Sequence, residues 1–489
     1  GAAEAEPPSV HFGEEELPSS LLESVGSSRG AVESVPGAQG LISLVDEDDA
    51  PESVAGPLQL RSYAHLAEEA YARNDFVEAV GVADIAVTTA RGSSETQADM
   101  RLVQARASFW LGDASAQESY AEDALRFAAK GSRTSFLAAG ELAFASSTLG
   151  NLDTLLALAD TMAQSQAAGH ALPDYLVACC RLGVALERVG WPEHVERVLG
   201  RVQEDLHTHG STVAEVRAWT LRLRAELADR AGDHAHSLAL THDAARAFME
   251  HGDERWACLC DGHAAREMIL LGGYRLARTA LPKASERAAS LNLALAAMMR
   301  LDLGLAEARD GDLPSAIERL QSGMANIGPA SNWRQRSAGH RYLAEAFAAS
   351  GRLDEAEQEV RSALALAEPS PALRAQALGL LADILLKTPR HIEAFMAASQ
   401  AVEILVSVGV AEDEARIRLV YAMALDAMGH GRNAREAYDG ARRRLLTRAD
   451  RISDPEWRNS FLEKVRDHER TLSLAAERCL SSSQPPGDG

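Results

Sequence analysis

Histidine and cysteine residues crowd one part of this sequence. Seven of the fifteen histidines fall between residues 207 and 263, and Cys258 and Cys260 lie in the same stretch. Imidazole and thiolate groups are the ligands that zinc prefers. However, the histidines form pairs two residues apart, such as His207 and His209, and residues at that spacing do not share a helix face. Turn and surface histidines explain the cluster, so we predict no metal site and no cofactor.

Sequence motifs for nucleotide and metal chemistry are missing from the chain. It contains no GxxxxGKS phosphate loop and no HExxH zinc motif. An enzyme built from this sequence would have to use side chains scattered over helices. We therefore predict no catalytic residues and a protein that is not an enzyme.

Charge and composition narrow the classes of partner. The 489 residues carry a net charge of −22, which argues against nucleic acid because phosphate binding requires a basic surface. The chain has no run of about 18 apolar residues that would predict a membrane span. The five cysteines fit no disulfide framework and indicate reduced thiols in a cytoplasmic protein.

The segment 1–57 differs from the rest of the chain. It holds twelve acidic residues and one basic residue, Arg29, a net charge of −11. Its Glu-, Ser-, Pro- and Gly-rich composition cannot bury enough apolar surface to offset the entropy of ordering. We therefore predict a disordered acidic arm over residues 1–57.

From position 58 a short polar turn recurs at a nearly constant interval of about 40 residues. Its ten anchors are Asn74, Gly112, Gly150, Gly190, Gly232, Gly272, Gly311, Gly351, Pro389 and Gly429. A period this constant is typical of a solenoid of helical hairpins.

A second column of residues keeps phase with these turns. Seven positions before each anchor the residue is always Ala or Gly: Ala67, Ala105, Ala143, Gly183, Ala225, Ala265, Gly304, Ala344, Ala382 and Ala422. A small side chain at this position lets the first helix of a hairpin approach the second closely.

The pattern resembles the tetratricopeptide repeat. Small residues before the turn, glycine at the turn, and alanine five and twelve positions after it are the shared features, and Ser350–Ala356 followed by Ala363 is the clearest copy. The period is longer than the roughly 34 residues usual for the family, as in kinesin light chains and bacterial maltose-type regulators. The resemblance implies an all-α, right-handed superhelix of about ten hairpins over residues 58–452.

The end of the chain is predicted to close the array. Ser453 and Glu456 indicate a helix start, and Phe461 and Val465 provide an apolar stripe. We predict one capping helix over residues 453–480, followed by a disordered tail over 481–489. Residues 449–465 also resemble the closing segment of repeat arrays in large bacterial signalling proteins.

The first helices of tetratricopeptide hairpins line the concave groove, and counting back from each turn gives the residues that face inward. The candidate partner-binding residues are Arg106, Phe109, Trp110, Phe144, Arg188, Trp219, Arg222, Arg266, Arg309 and Arg341. Arginine suits bidentate capture of carboxylates, and aromatic rings suit apolar anchors. The alternative is that these arginines pair with Glu and Asp of neighbouring repeats.

These observations predict a protein- or peptide-binding scaffold or sensor in a bacterial cytoplasmic signalling system. The partner is expected to present acidic side chains or a C-terminal carboxylate, and the acidic arm could itself occupy the groove; neither nucleic acid nor membrane is expected. Two alternatives remain: a small-molecule-sensing regulatory array, or the C-terminal part of a larger kinase- or ATPase-type signalling protein.

Overall fold

A computed structural model describes residues 63–89, 93–165, 167, 169–209, 213–325, 327, 333–408 and 412–480. Every regular element within these ranges is a helix, and none is a strand. The predicted arm (1–57) and tail (481–489) lie outside the described residues.

Within the described residues ten helical hairpins follow one another, which confirms the predicted tetratricopeptide-like α-solenoid. Hairpins one to five consist of α1 (63–72) and α2 (Phe76–Thr89), α3 (Ser94–Leu111) and α4 (Ala114–Phe127), α5 (Arg133–Leu149) and α6 (Leu152–Gln164), α7 (Leu172–Val189) and α8 (Pro192–His209), α9 (Ala214–Ala231) and α10 (His234–His251). Hairpins six to ten consist of α11 (Glu254–Leu270) and α12 (Tyr274–Ser290), α13 (Leu295–Arg309) and α14 (Leu313–Ala325), α15 (Trp333–Ala349) and α16 (Leu353–Leu366), α17 (Pro371–Leu385) and α18 (His391–Val408), α19 (Glu414–Ala427) and α20 (Gly431–Ala449).

The predicted turn anchors lie between the two helices of each hairpin. Nine of the ten adopt a positive φ, Pro389 being the exception. Gly112 shows why: its φ of 79° lets the N–H groups of Gly112 and Asp113 bond back to the last turn of α3. The Asp113 carboxylate then accepts the N–H of Ala116, at 2.9 Å, and starts α4.

The column of small residues is buried, as the sequence predicted. At Gly304 a β-carbon would lie 2.6 Å from the Leu320 side chain of the same hairpin. At Gly183 the close neighbour is instead Leu223 of α9, in the next hairpin. The column therefore sets the spacing between hairpins as well as within them.

Hairpins about five apart in the sequence touch, so the superhelix returns over itself. The amide of Ala294 donates to the carbonyl of Trp110, at 3.0 Å, and the Asn292 side chain donates to the carbonyl of Asn74, 218 residues away, at 3.1 Å. We call hairpins one to five the first superhelical turn and hairpins six to ten the second.

Two helices, rather than the single predicted one, follow the last hairpin. They are α21 (Pro455–Glu463) and α22 (Arg466–Leu480). The cap of α21 is Asp454 instead of Ser453, because its carboxylate accepts the N–H groups of Glu456 and Trp457. The proline after Asp454 suits the first helical position, since its missing N–H costs no bond there.

Candidate functional site

The four aromatic candidates lie together inside the first superhelical turn. The ring of Phe109 is 4.8 Å from that of Trp110 and 5.8 Å from that of Phe144. Phe144 is in turn 5.8 Å from Trp219. The indole of Trp256 touches all four, with centroids 4.5 Å apart at its contact with Trp219.

These rings form a core and do not line an open groove. Trp110 is 3% exposed and Trp219 is 1% exposed, so a partner cannot use them as anchors in this conformation. The reason is the return of the superhelix, which brings α11 of hairpin six against α3 and α5. Trp256, the ring at the centre, was not predicted from the sequence. It lies sixteen positions before Gly272, farther from the turn than any residue that we counted as facing inward.

A buried arginine completes this aromatic core. The Arg181 guanidinium lies 4.9 Å from the ring of Phe144, 5.2 Å from that of Trp219 and 5.6 Å from that of Trp256. Its Nη2 is 2.7 Å from a carboxylate oxygen of Glu141, and both side chains are almost fully buried. A desolvated cation gains more free energy from contact with aromatic faces than an exposed cation does. Through these contacts Arg181 links hairpins three, four, five and six.

Two of the predicted arginines follow the inner surface beside this core. Arg106 stacks on the ring of Tyr71, at 5.0 Å. Arg188 lies 5.3 Å from the Phe144 ring and 3.9 Å from a carboxylate oxygen of Glu226. The Arg188 side chain keeps a third of its surface exposed.

A third predicted arginine, Arg222, is buried between two partners. It donates to Glu226 and lies against Nδ1 of His263. Burial and the charges of Arg222, Arg188 and Arg266 hold the pKa of His263 well below its usual value. His263 is therefore neutral and accepts from Arg222, and the histidine-rich stretch contributes a hydrogen-bond acceptor here.

The remaining predicted arginines form an ion-pair network inside the second superhelical turn. Its pairs are Arg266 with Asp302 (3.0 Å) and with Glu412, Arg309 with Glu345 (2.8 Å), Arg341 with Asp413 (2.9 Å), and Arg416 with Glu345 (3.0 Å) and Asp467 (2.7 Å). These arginines therefore pair with acidic residues of other hairpins, which was the alternative to binding the carboxylates of a partner.

Glu345 sits at the centre of the network. Burial alone would raise the pKa of its carboxyl, but Arg309 and Arg416 outweigh burial and hold it well below its usual value. Glu412 and Asp413 complete the network from the connection that precedes α19. Sequence reasoning missed these two because it considered only positions on the first helices.

Part of the network, including Arg309, Glu345 and Arg416, lines a cavity of about 110 Å³. The ends of α11, α13, α15 and α17 form one side, and the junction of α21 and α22 forms the other. Charged side chains lining it include Arg309, Lys387 and Arg416 from the hairpins and Asp467 from the C-terminal helices. The inner surface of the second turn is thus polar, whereas that of the first turn is aromatic.

The C-terminal helices reach hairpins five and six as well as the last hairpin. Tyr274 Oη donates to the carbonyl of Lys464, at 3.4 Å. The Phe461 ring lies between two imidazoles, with its centroid 6.4 Å from that of His234 and 4.1 Å from that of His468. The segment predicted as a cap therefore also covers the inner surface of the second turn.

His234 belongs to a buried cluster with two carboxylates. Its Nδ1 lies 3.0 Å from Asp229 and 3.0 Å from Glu267, and the three possible ligand atoms lie within 4.8 Å of one another. However, its Nε2 is 3.2 Å from Nη2 of Arg448. That guanidinium supplies the positive charge that a metal ion would bring, so the geometry supports a histidine held between two carboxylates and an arginine.

A second groove lies between α6 and α8, away from the inner surface. It has a volume of about 300 Å³ and an apolar wall that includes Met162, Tyr175 and Val198. His194 and Arg197 stand among its polar lining residues.

Solved structures similar to this chain share its helical repeat fold. A Rap protein complexed with competence and sporulation factor has 13% sequence identity and a TM-score of 0.50, and the match covers 70% of this chain and 98% of that one. NprR in complex with its cognate peptide NprX has 10% identity and a TM-score of 0.49, over 69% of this chain and 98% of that one. No protein-family model and no curated protein sequence matches the chain.

Proposed function

We propose that this chain, a helical repeat protein of the tetratricopeptide type, binds a peptide or a protein segment along the inner surface of its second superhelical turn. The observation that carries the proposal is that this surface already holds a helical segment, α21 and α22, over a charged cavity. A Rap protein of the same fold was solved with competence and sporulation factor bound, which supports the proposal.

The contacts of the C-terminal helices indicate the chemistry of the ligand. Arg416 binds the Asp467 carboxylate at 2.7 Å, and Phe461 fills an apolar site beside His234. A ligand that replaces them would present a carboxylate, from an acidic side chain or a C-terminus, and an apolar or aromatic side chain. This agrees with the acidic partner expected from the inward arginines.

Binding on this surface requires the C-terminal helices to move. The cavity of about 110 Å³ is well below the roughly 300–1,000 Å³ typical of ligand pockets. A peptide therefore enters as α21 and α22 leave, and the loss of their contacts changes the packing of hairpins five, six and nine. Because repeats touch mainly their neighbours, such changes add along the array.

The biological setting proposed is a bacterial cytoplasmic signalling system, in which the chain acts as a sensor or scaffold and not as an enzyme. The described cysteines Cys179, Cys180, Cys258 and Cys260 are buried thiols, in keeping with a reducing compartment. The acidic arm, residues 1–57, remains a proposed competitor for the same surface.

The test is selection of peptides from a random library against the full chain, followed by calorimetric titration of variants. Lys387→Gln removes a charge that lines the cavity and forms one ion pair, with Asp383 at 3.5 Å. We expect it to weaken binding about tenfold, as loss of one charged contact does. Arg432→Gln is the matched control on the outer face, where the side chain is 86% exposed.

Two outcomes would contradict the proposal. One is a selected peptide whose affinity is the same for Lys387→Gln as for the unaltered chain. The other is a peptide that binds without any increase in hydrogen exchange over α21 and α22. Removal of residues 1–57 tests the arm in the same titration: a competing arm predicts tighter peptide binding after its removal, most clearly at low salt.

Sensing of a small molecule is the second candidate, and the groove between α6 and α8 favours it. Its volume of about 300 Å³ reaches the lower end of the range for ligand pockets. Val198→Trp would fill this groove. It should abolish binding of a small ligand there and leave peptide binding in the second turn unchanged.

A further inference from the structure

The charged residues of α8 are segregated around the groove between α6 and α8. Both arginines of the helix, Arg197 and Arg201, line the groove together with His194. At about 100° per residue these three side chains fall within about 60° of one another, on one face of α8. The acidic residues Glu193 and Glu196 of the same helix do not line the groove. The helix thus turns its basic groups toward the groove, although it contains more acidic than basic residues.

The lining of the groove carries a net positive charge. Arg197 and Arg201 contribute two positive charges, and Glu204 contributes one negative charge. Within the described part of the chain, the Arg197 guanidinium has no ion-pair or hydrogen-bond partner. The His194 ring lies 5.8 Å from that of Trp191. An arginine without a counter-charge beside a groove favours an anionic ligand, because its planar guanidinium matches a carboxylate.

The opposite wall of the groove is apolar and fixed in place. Helix α6 lines it with Ala159, Met162 and Ala163, and neither of the two aspartates of α6 lines it. Tyr175 of α7 is 1% exposed. Its Oη donates to the carbonyl of Met162 at 3.2 Å, and its ring lies 5.2 Å from that of Phe136. These contacts hold Tyr175 against the end of α6, so the apolar wall is preformed.

We infer that this groove binds a small carboxylic acid with an apolar body. The carboxylate would bind Arg197, and the apolar body would lie along Met162 and Tyr175. A mostly apolar lining with a few polar groups that fix orientation is usual for ligand pockets, and the volume of about 300 Å³ suits a small ligand. The inference rests on small-molecule sensing, the second candidate function above, and names the class of molecule that is sensed.

The first experiment titrates the full chain with octanoate and with octanamide by calorimetry. The two probes share an alkyl chain and differ in the charge of the head group. We expect octanoate to bind with millimolar affinity or better. Octanamide should bind at least about tenfold more weakly, because it lacks the charged hydrogen bond. Naphthoate is titrated in parallel, so that the two acids distinguish an alkyl from an aromatic body.

Arg197→Gln tests the contact with the head group. It should weaken octanoate binding about tenfold and change octanamide binding much less, since only the carboxylate uses the positive charge. Arg224→Gln is the matched control, because Arg224 is an exposed arginine of α9 that does not line the groove. Both arginines are exposed, so neither substitution should affect folding.

The methyl resonance of Met162 shows where the probe binds. In a chain with isotope-labelled methionine methyl groups, octanoate should shift this resonance, which Met162→Leu assigns. The resonance of Met249, an exposed residue of α10 outside the groove, should stay in place.

Three results would overturn the inference. Octanoate and naphthoate could both fail to bind at millimolar concentrations, octanamide could bind as tightly as octanoate, or Arg197→Gln could leave octanoate binding unchanged. If Val198→Trp still abolishes binding in the last two cases, the groove binds small molecules but not through a carboxylate. If Val198→Trp has no effect, small-molecule sensing by the groove is itself wrong. These outcomes do not depend on peptide binding in the second superhelical turn.

Discussion

The indole ring of Trp457 packs against the α-carbon of Gly273, so closely that a β-carbon on the glycine would lie 2.8 Å from the ring. Gly273 belongs to the turn between α11 and α12, and Trp457 lies in α21. This contact joins the end of the chain to hairpin six, four hairpins before the last one. It explains how α21 stays over the inner surface of the second superhelical turn.

Adding a methyl group at this contact should release α21. Gly273 has a φ of −82°, which alanine adopts without strain, so Gly273→Ala acts mainly through the clash with Trp457. We expect a loss of about 1–3 kcal/mol in the stability of the packed segment, as for overpacking in general. Hydrogen exchange over residues 455–463 measures the effect.

The control for this change is Gly440→Ala in α20. No atom lies within 4 Å of the position that its β-carbon would occupy. Alanine there should stabilise the helix by about 0.5–1 kcal/mol. Equal exchange rates for α21 in Gly273→Ala and Gly440→Ala would show that the Trp457 contact does not hold the segment.

Arg181→Met should strongly destabilise the aromatic core of the first turn. The substitution leaves Glu141 buried without its ion pair at 2.7 Å, and breaking a buried pair costs about 3–5 kcal/mol. The double variant Arg181→Met with Glu141→Gln should recover much of that loss, because no charge is then left unpaired. Urea unfolding followed by tryptophan fluorescence tests both; a double variant no more stable than Arg181→Met would contradict this account.

The stability of the C-terminal segment should fall as the solution becomes alkaline. Burial lowers the pKa of His234, but hydrogen bonds to Asp229 and Glu267 outweigh burial and raise it to about 9. An unfolded histidine titrates near pH 6.5. A raised pKa gives stabilisation that is complete below pH 6.5 and lost as the pH rises through 9. It amounts to at most about 3 kcal/mol, and the Arg448 guanidinium, 3.2 Å from Nε2, opposes the charge of the imidazolium.

His234→Gln should reduce this dependence. The charged groups that face the ring are Asp229, Glu267 and Arg448, and side chains of these types ordinarily titrate outside the range from pH 7 to 9.5. The stability difference between these two pH values, measured by thermal unfolding, should be smaller for His234→Gln than for the unaltered chain. The part that remains comes from buried thiols such as Cys180 and Cys260, because burial raises the pKa of each to about 12 and an unfolded thiol ionises near pH 8.5. A variant that keeps the full difference would assign the effect to another group.

The phase of the repeats predicts the effect of a larger side chain in the small-residue column. Ala344 is fully buried, so Ala344→Leu should overpack hairpin eight and cost about 1–3 kcal/mol. Ala365, exposed on α16, is the matched control, and Ala365→Leu should change stability little. Equal losses in urea unfolding for the two variants would contradict the assigned phase.

The sequence by itself determined the hairpins. A glycine such as Gly112 reaches positive φ at low cost, and the aspartate after it caps the next helix. The buried alanine of each first helix fixes how closely its neighbours approach. All of these contacts join positions within one or two repeats, so their spacing is visible as a period of about 40 residues.

Only the tertiary structure decided what fills the interior. Trp256 meets Trp110 from another superhelical turn, and Arg448 meets His234 across 214 residues. Which residues meet at such separations depends on the small rotation from each hairpin to the next, summed over five hairpins. A repeat period records the length of a hairpin but not that rotation. The inward arginines and aromatic rings were therefore predictable as a set, whereas their partners, and the place of α21 over the inner surface, were not.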